Sequence, residues 1–308
     1  MVRFASVVLL GLLWGCASAS RQLPARAQVT LTAAGDTRVG TYVSSPWGFS
    51  TSSYWIEGPE GLILIDTQFL LSEAEQFVDW AEQVTGKKAV LAIVLHANPD
   101  KFNGTEVLRR RGIRVVTSEQ VRALIPHVHE IRTASFYERY KPDYPTQVPL
   151  PDSFGAATTE LSAGGVTVKA HVVGAGCSAA HVVVEYEGHL FAGDLVANNA
   201  HSWLELGKTD EWLQRIGEMQ ALHPKWVHPG RGPSGSAGLL DMERAYLERV
   251  VAEVAAEKPQ GAPTDEALGR IRSRLVAAYP GMRFDVFLAI GLPAEWERQA
   301  RADGSAHP

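Results

Sequence analysis

Apolar positions along this chain change period several times, and each change predicts an element. Residues 51–57 and 61–66 read as two strands of a hairpin, joined by the turn Gly58-Pro59-Glu60-Gly61. An amphipathic helix is predicted over 73–84, a buried strand over 89–95, a helix over 105–111 and a short strand over 113–116. Two candidate helices follow, near 118–124 and over 127–140, and the Pro-rich stretch 141–151 predicts a loop or strap. Strands resume at 166–173, 181–186 and 189–192, rich in β-branched and aromatic residues, with Glu187-Gly188 turning between the last two. A helix at 210–222, a strand at 225–228 and a long helix at 239–257 complete this part, and only helical patterns lie beyond, at 265–279 and 284–301. Strand runs followed by helices therefore come twice, which predicts two similar halves packed sheet to sheet with helices outside.

Composition narrows the class. In 308 residues, 45% are hydrophobic and 20% charged, which excludes disorder, collagen and coiled coil. A formal charge of −5 argues against a partner held by phosphate contacts, so no nucleic acid is expected. The apolar stretch 4–14 is too short to span a bilayer. With the positive start Met1-Val2-Arg3 before it and Ala17-Ser18-Ala19-Ser20 after it, it reads as an export signal. Leu13-Trp14-Gly15-Cys16 resembles the bacterial lipobox, with Trp14 bulkier than the residue usual there. The resemblance implies a signal peptide over 1–15, acylation of Cys16, a linker over 16–28 and attachment to a membrane surface. Ala17 points to the periplasmic face of the outer membrane of a bacterial cell envelope; cleavage after Ala19 would instead give a soluble periplasmic or secreted protein. Cys177 is then the one thiol of the mature body, and an intramolecular disulfide is excluded.

Loops that follow strands are where a rigid sheet presents reactive groups. Four stand out here: His96, Asn98, Asp100 and Lys101; Gly174-Ala175-Gly176-Cys177-Ser178; Gly193-Asp194; and His228-Pro229-Gly230-Arg231-Gly232. In order, spacing and flanking residues they resemble the metallo-β-lactamase superfamily, with Asp66 as a fifth match. The resemblance covers about 29–257 and implies a four-layer αββα sandwich of the α/β (α+β) class over 29–258, with a C-terminal helical extension over 259–308. Residue-by-residue transfer puts His96, Asn98 and Cys177 where the family has three histidines. It puts Asp100, Lys101 and Arg231 where the family has a second ligand set, with Asp194 as the shared carboxylate.

Zinc asks for imidazole, thiolate or carboxylate donors, three of them plus an open water position in a catalytic site. His96, Cys177 and Asp194, with Asp100 near, meet that minimum. The expectation is one zinc carrying a hydroxide that attacks an ester, thioester, lactone or β-lactam amide of a small-molecule substrate, Asp100 orienting it and Asn98 donating to the oxyanion. Lys101 and Arg231 put positive charge where a second ion would lie, so that ion is expected to be absent. Two other readings stand beside this one. A catalytically inactive binding or scaffold lipoprotein would keep the fold without the catalyst, and a metal-free thiol hydrolase would use Cys177 with His181 or His96 as its base. Trp203, His201 and His228 are candidate pocket residues. His127 and His129 are expected on an exposed loop and His189 in an exposed turn, and the phosphate-binding pattern in 174–179 is rejected because a strand follows it.

Overall fold

The structure, a computed structural model, describes residues 27–304, with side chains to 302; the expected signal segment and Cys16 lie outside the described residues. It is a mixed α/β sandwich in which two sheets pack face to face with helices on the outer faces. The first half contains β1 (Gln28–Thr30), β2 (Val39–Val43), β3 (Ser52–Glu57), β4 (Leu62–Ile65), α1 (Leu71–Thr85) and β5 (Ala89–Ile93). It continues through α2 (Pro99–Phe102), α3 (Thr105–Arg110), β6 (Arg114–Thr117), α4 (Glu119–Tyr140) and β7 (Asp152–Ser153). The seven strands lie in sequence order, antiparallel from β1 to β4 and parallel from β4 to β7. β4 is wholly buried, as expected of the continuous apolar run Leu62-Ile63-Leu64-Ile65 in the middle of a sheet covered on both faces.

The second half contains β8 (Thr159–Ala163), β9 (Val166–Val173), β10 (His181–Tyr186), β11 (His189–Ala197), α5 (Thr209–Gln220), β12 (Trp226–Arg231), β13 (Gly235–Ser236) and α6 (Gly238–Ala255), then α7 (Asp265–Ala278) and α8 (Val286–Gly304). Its sheet runs β13-β12-β11-β10-β9-β8, parallel only between β11 and β12. One core lies between the sheets, where Tyr54 of β3 meets Phe191 of β11 at 5.5 Å between ring centroids. A second core lies beneath α5 and α6 and takes in Ile271 and Leu275 of α7 and Leu288, Leu292 and Trp296 of α8. The C-terminal helices thus share the core of the second half.

Three local readings change. The two helices expected at 118–124 and 127–140 are one, α4, with Pro126 inside it on an exposed turn. His127 and His129 lie on that helix, and His129 is buried. β1, β2, β7, β8 and β13 were not anticipated. No helix among the described residues is long and apolar enough to cross a membrane.

Candidate active site

The loops after β5 and β9, the second half of β11, which holds Gly193 and Asp194 within the strand and not in a loop after it, and the end of β12 converge at one edge of the sandwich, where two isolated bridges, His96 to His181 and Thr51 to Arg231, tie the sheets together. At one end of the resulting cleft lie charges. Pro99 opens α2, which sets Asp100 and Lys101 in its single turn, both buried. The Arg231 guanidinium, at the end of β12, spans two carboxylates: Nη1 donates to Asp194 Oδ2 at 2.6 Å and Nη2 to Asp100 Oδ2 at 2.9 Å. The Lys101 ammonium, fully buried, stands 2.9 Å from Asp194 Oδ1, 3.3 Å from Asp100 Oδ2 and 3.8 Å from Asp66 Oδ2. It is a point charge shared among three acids rather than an aligned donor, since Nζ makes no hydrogen bond of good geometry. Thr51 Oγ1 donates to Asp100 Oδ2 at 3.1 Å. Gly230 is required here, because a Cβ on it would stand 1.8 Å from Asp194 Oδ1.

Electrostatics follow from these contacts. Burial raises the acids' pKa values, but for Asp100 the Lys101 and Arg231 charges outweigh it, and for Asp194 the Arg231 and Lys101 charges do so by more; both are held ionised. Burial prevails at Asp66, whose nearest cation is the more distant Lys101, and lifts it to about 7. Two cations therefore face two ionised carboxylates, and this end of the cleft is neutral without an added ion.

The other end holds Cys177, His181 and His96. Cys177 Sγ lies 3.2 Å from His181 Nε2, and His181 Nδ1 lies 3.0 Å from the Gly174 carbonyl oxygen. A carbonyl only accepts, so Nδ1 carries the proton and Nε2 receives from the thiol and from the Ser178 N–H at 3.2 Å. Burial pushes the Cys177 thiol well above its ordinary value, with the Asp194 charge adding to it, and depresses His181 to about 3, so the pair rests neutral. His96 Nδ1 meets Ser178 Oγ at 2.8 Å, whereas its buried Nε2 has no hydrogen-bond partner and stands 3.6 Å from Asp194 Oδ2. Cys177 reaches a cavity of about 330 Å³ whose walls include Asn98, His127, Ile131, Arg132, Glu205 and Leu206. Asn98 and Arg132 also border a smaller aromatic hollow formed with Phe49, Phe69, Phe136, Trp203 and Phe287.

The expected ligand quartet is thus divided. Asp100 Oδ2 and both oxygens of Asp194 are engaged by Arg231 and Lys101, while His96 and Cys177 are joined by His181. A pair of divalent ions does not fit this residue set, because the guanidinium and the ammonium occupy the charge position of the second ion. Trp203 borders the cleft as expected, and His201 borders a hollow beside Asp194 while bonded to Tyr246 Oη at 3.0 Å. His228 does not line the cleft. It is buried between the sheets, 2.9 Å from His189 and 2.8 Å from Ser234 Oγ. His189 is likewise buried, with Nε2 at 3.2 Å from Asp36, and not exposed in its turn. Arg132 of α4 and Phe287 of α8 were missed, and no local pattern marks them: each reaches the cleft from an element far away in sequence.

The sequence profile of the Metallo-beta-lactamase superfamily matches residues 46–231. Solved structures of the same architecture include a metallo-beta-lactamase from Pontibacter korlensis, 22% identical, TM-score 0.54, covering 72% of this chain and 99% of that one. Another is the metallo-beta-lactamase FIM-1 from Pseudomonas aeruginosa in its mono-zinc form, 17% identical, TM-score 0.55, covering 73% and 96%. TMB-1, 20% identical, covers 72% and 97% with a TM-score of 0.57. No curated protein sequence matches the chain. The profile spans more than half of the chain and takes in the first three motifs and the fourth as far as Arg231, so the chain belongs to the metallo-β-lactamase superfamily of hydrolases.

Proposed function

We propose that the protein is an exported acyl hydrolase of the metallo-β-lactamase fold in which the Cys177 thiol, with His181 as its base, takes over the attack. The observation that carries this reading is the 3.2 Å contact between Sγ and Nε2, on an imidazole fixed at its other nitrogen by Gly174, with Cys177 bordering a cavity. As Sγ bonds to the acyl carbon, its proton passes to His181 Nε2. The tetrahedral oxyanion receives a hydrogen bond from the Asn98 amide across the cavity, then collapses and expels an alcohol or thiol, which takes the proton back. Water, deprotonated by His181, cleaves the acyl-cysteine and restores the thiol.

An imidazole held at about 3 is a weak base, so the reading favours activated acyl groups, esters and thioesters, over amides. The apolar walls from Leu124, Ile131 and Leu206 favour an apolar acyl chain. Export and acylation of Cys16 rest on the N-terminal sequence alone.

The test is turnover of p-nitrophenyl esters and acyl thioesters in excess chelator. Expected are activity that survives the chelator, a transient acyl mass on Cys177, and at least a hundredfold loss in Cys177→Ala and in His181→Gln. Activity that the chelator abolishes, or that Cys177→Ala retains, refutes the thiol mechanism. If neither turnover nor adduct is seen, the binding-protein reading gains, and it has its own support in the Arg231 bridge across the family's cation position.

A further inference from the structure

One nitrogen of His96, one of His181 and Cys177 Sγ all lie within 4.8 Å of one another, and all three side chains are buried. Donors around one metal, with bonds of about 2.0 Å to nitrogen and 2.3 Å to sulfur, stand about 3.5 to 3.8 Å apart, so the Cys177–His181 pair at 3.2 Å would open slightly and His96 would close on it from within 4.8 Å. His96 supplies a second, independent sign of a ligand. Its Nε2 makes no hydrogen bond and stands 3.6 Å from Asp194 Oδ2, on a ring with no solvent exposure.

We propose that His96, Cys177 and His181 form a three-donor site for one soft monovalent cation of the Cu(I) class. Two imidazoles and a thiolate are donors that such an ion prefers. Charge selects the monovalent form: the two carboxylates nearby are already matched by Arg231 and Lys101, so a thiolate with a monovalent ion adds nothing net, whereas a divalent ion would leave an uncompensated positive charge beside the guanidinium. The cavity bordering Cys177 gives the ion a way in. Binding replaces the thiol proton and displaces the Ser178 N–H from His181 Nε2. It also ties up the sulfur lone pair, so a metal-filled site and a nucleophilic Cys177 exclude each other. The site does not depend on the hydrolase reading, since its occupancy is read without substrate.

The experiment is an anaerobic titration of the reduced full chain against Cu(I) buffered with bicinchoninate, with Zn(II) in parallel. Expected are one equivalent of Cu(I) withdrawn from the chelator, a copper–thiolate absorption in the near ultraviolet, and at least a hundredfold weaker uptake in Cys177→Ser and tenfold in His96→Gln. In the unaltered protein, Cu(I) should also protect the Cys177 peptide from iodoacetamide by at least tenfold, as read by mass spectrometry, a measurement that needs no variant to fold. No uptake, uptake unchanged in both variants, an unprotected Cys177, or Zn(II) held as tightly as Cu(I) would overturn the proposal.

Discussion

The two ends of the cleft are built in opposite ways. At the Arg231 end both oxygens of Asp194 and one of Asp100 meet a cation, and the two acids stay ionised although buried. At the Cys177 end the thiol and His181 are neutral, and His96 Nε2 makes no hydrogen bond. The difference teaches where the fold has spent its charge: one end has become structure, while the other keeps lone pairs available for chemistry.

Breaking the charged end should have the largest effect. Lys101→Met would leave Asp100 and Asp194 with one guanidinium between them and Asp66 with no cation, and a loss of about 4 kcal/mol in urea unfolding is expected, within the range for removing one partner of a buried pair. Arg231→Met should cost about 3 kcal/mol, since Lys101 still serves both aspartates. A loss under 1 kcal/mol in either variant would mean that the ion pairs are not what holds this end together.

A sharper form of the comparison uses a buried acid that lacks a cation. Glu243 on α6 accepts from the Ala197 N–H at 3.0 Å and from Ser202 Oγ at 2.7 Å, and burial raises it from 4.5 to about 7. Between those pH values the folded chain holds a proton that the unfolded chain has lost. This group's contribution is therefore complete below about 4.5 and disappears as pH rises through about 7, with a slope of up to about 1.4 kcal/mol per pH unit. Glu243→Gln should flatten that slope in urea unfolding measured from pH 5 to 7.5. Asp100 and Asp194 act in the other direction, stabilising above the ordinary carboxylate range and losing that contribution in acid.

The smallest effect belongs to the neutral end. Cys177→Ser keeps a hydroxyl within reach of His181 Nε2 and changes little volume, so a shift below about 1 kcal/mol in unfolding is expected, well under that of either cation variant. A larger loss would show the thiol to be an element of the core.

The repeated strand-then-helix order and the four loop motifs made the architecture legible before any coordinates. What escaped notice has a physical reason. β8 reads Thr-Glu-Leu-Ser-Ala with only Leu161 buried, so alternation gives no signal, and β2 lies behind an Asp- and Gly-containing approach that resembles a linker. Pro126 suggested a break but sits on an exposed turn of α4, where the helix accommodates it. In the site, the pairing of Lys101 and Arg231 with Asp100 and Asp194 was readable from charge once the family resemblance had aligned the loops. That His181 could pair with Cys177 was among the readings, but spacing did not choose between it and His96, nor show that His181 rather than Asp194 joins His96 and Cys177 in one cluster. His189 escaped for a related reason: its partners Asp36 and His228 come from opposite halves of the chain.

Phe284 and Phe287 lie 5.8 and 5.4 Å from the Arg231 guanidinium carbon, just ahead of α8 and within it, beyond the span that the family profile recognises. A gene shortened to the conventional domain edge near residue 258 would thus encode every loop of the cleft and still yield a different protein, its arginine stripped of an aromatic roof and newly wetted. For this chain, the boundary that sequence comparison draws is not the boundary at which the working unit ends.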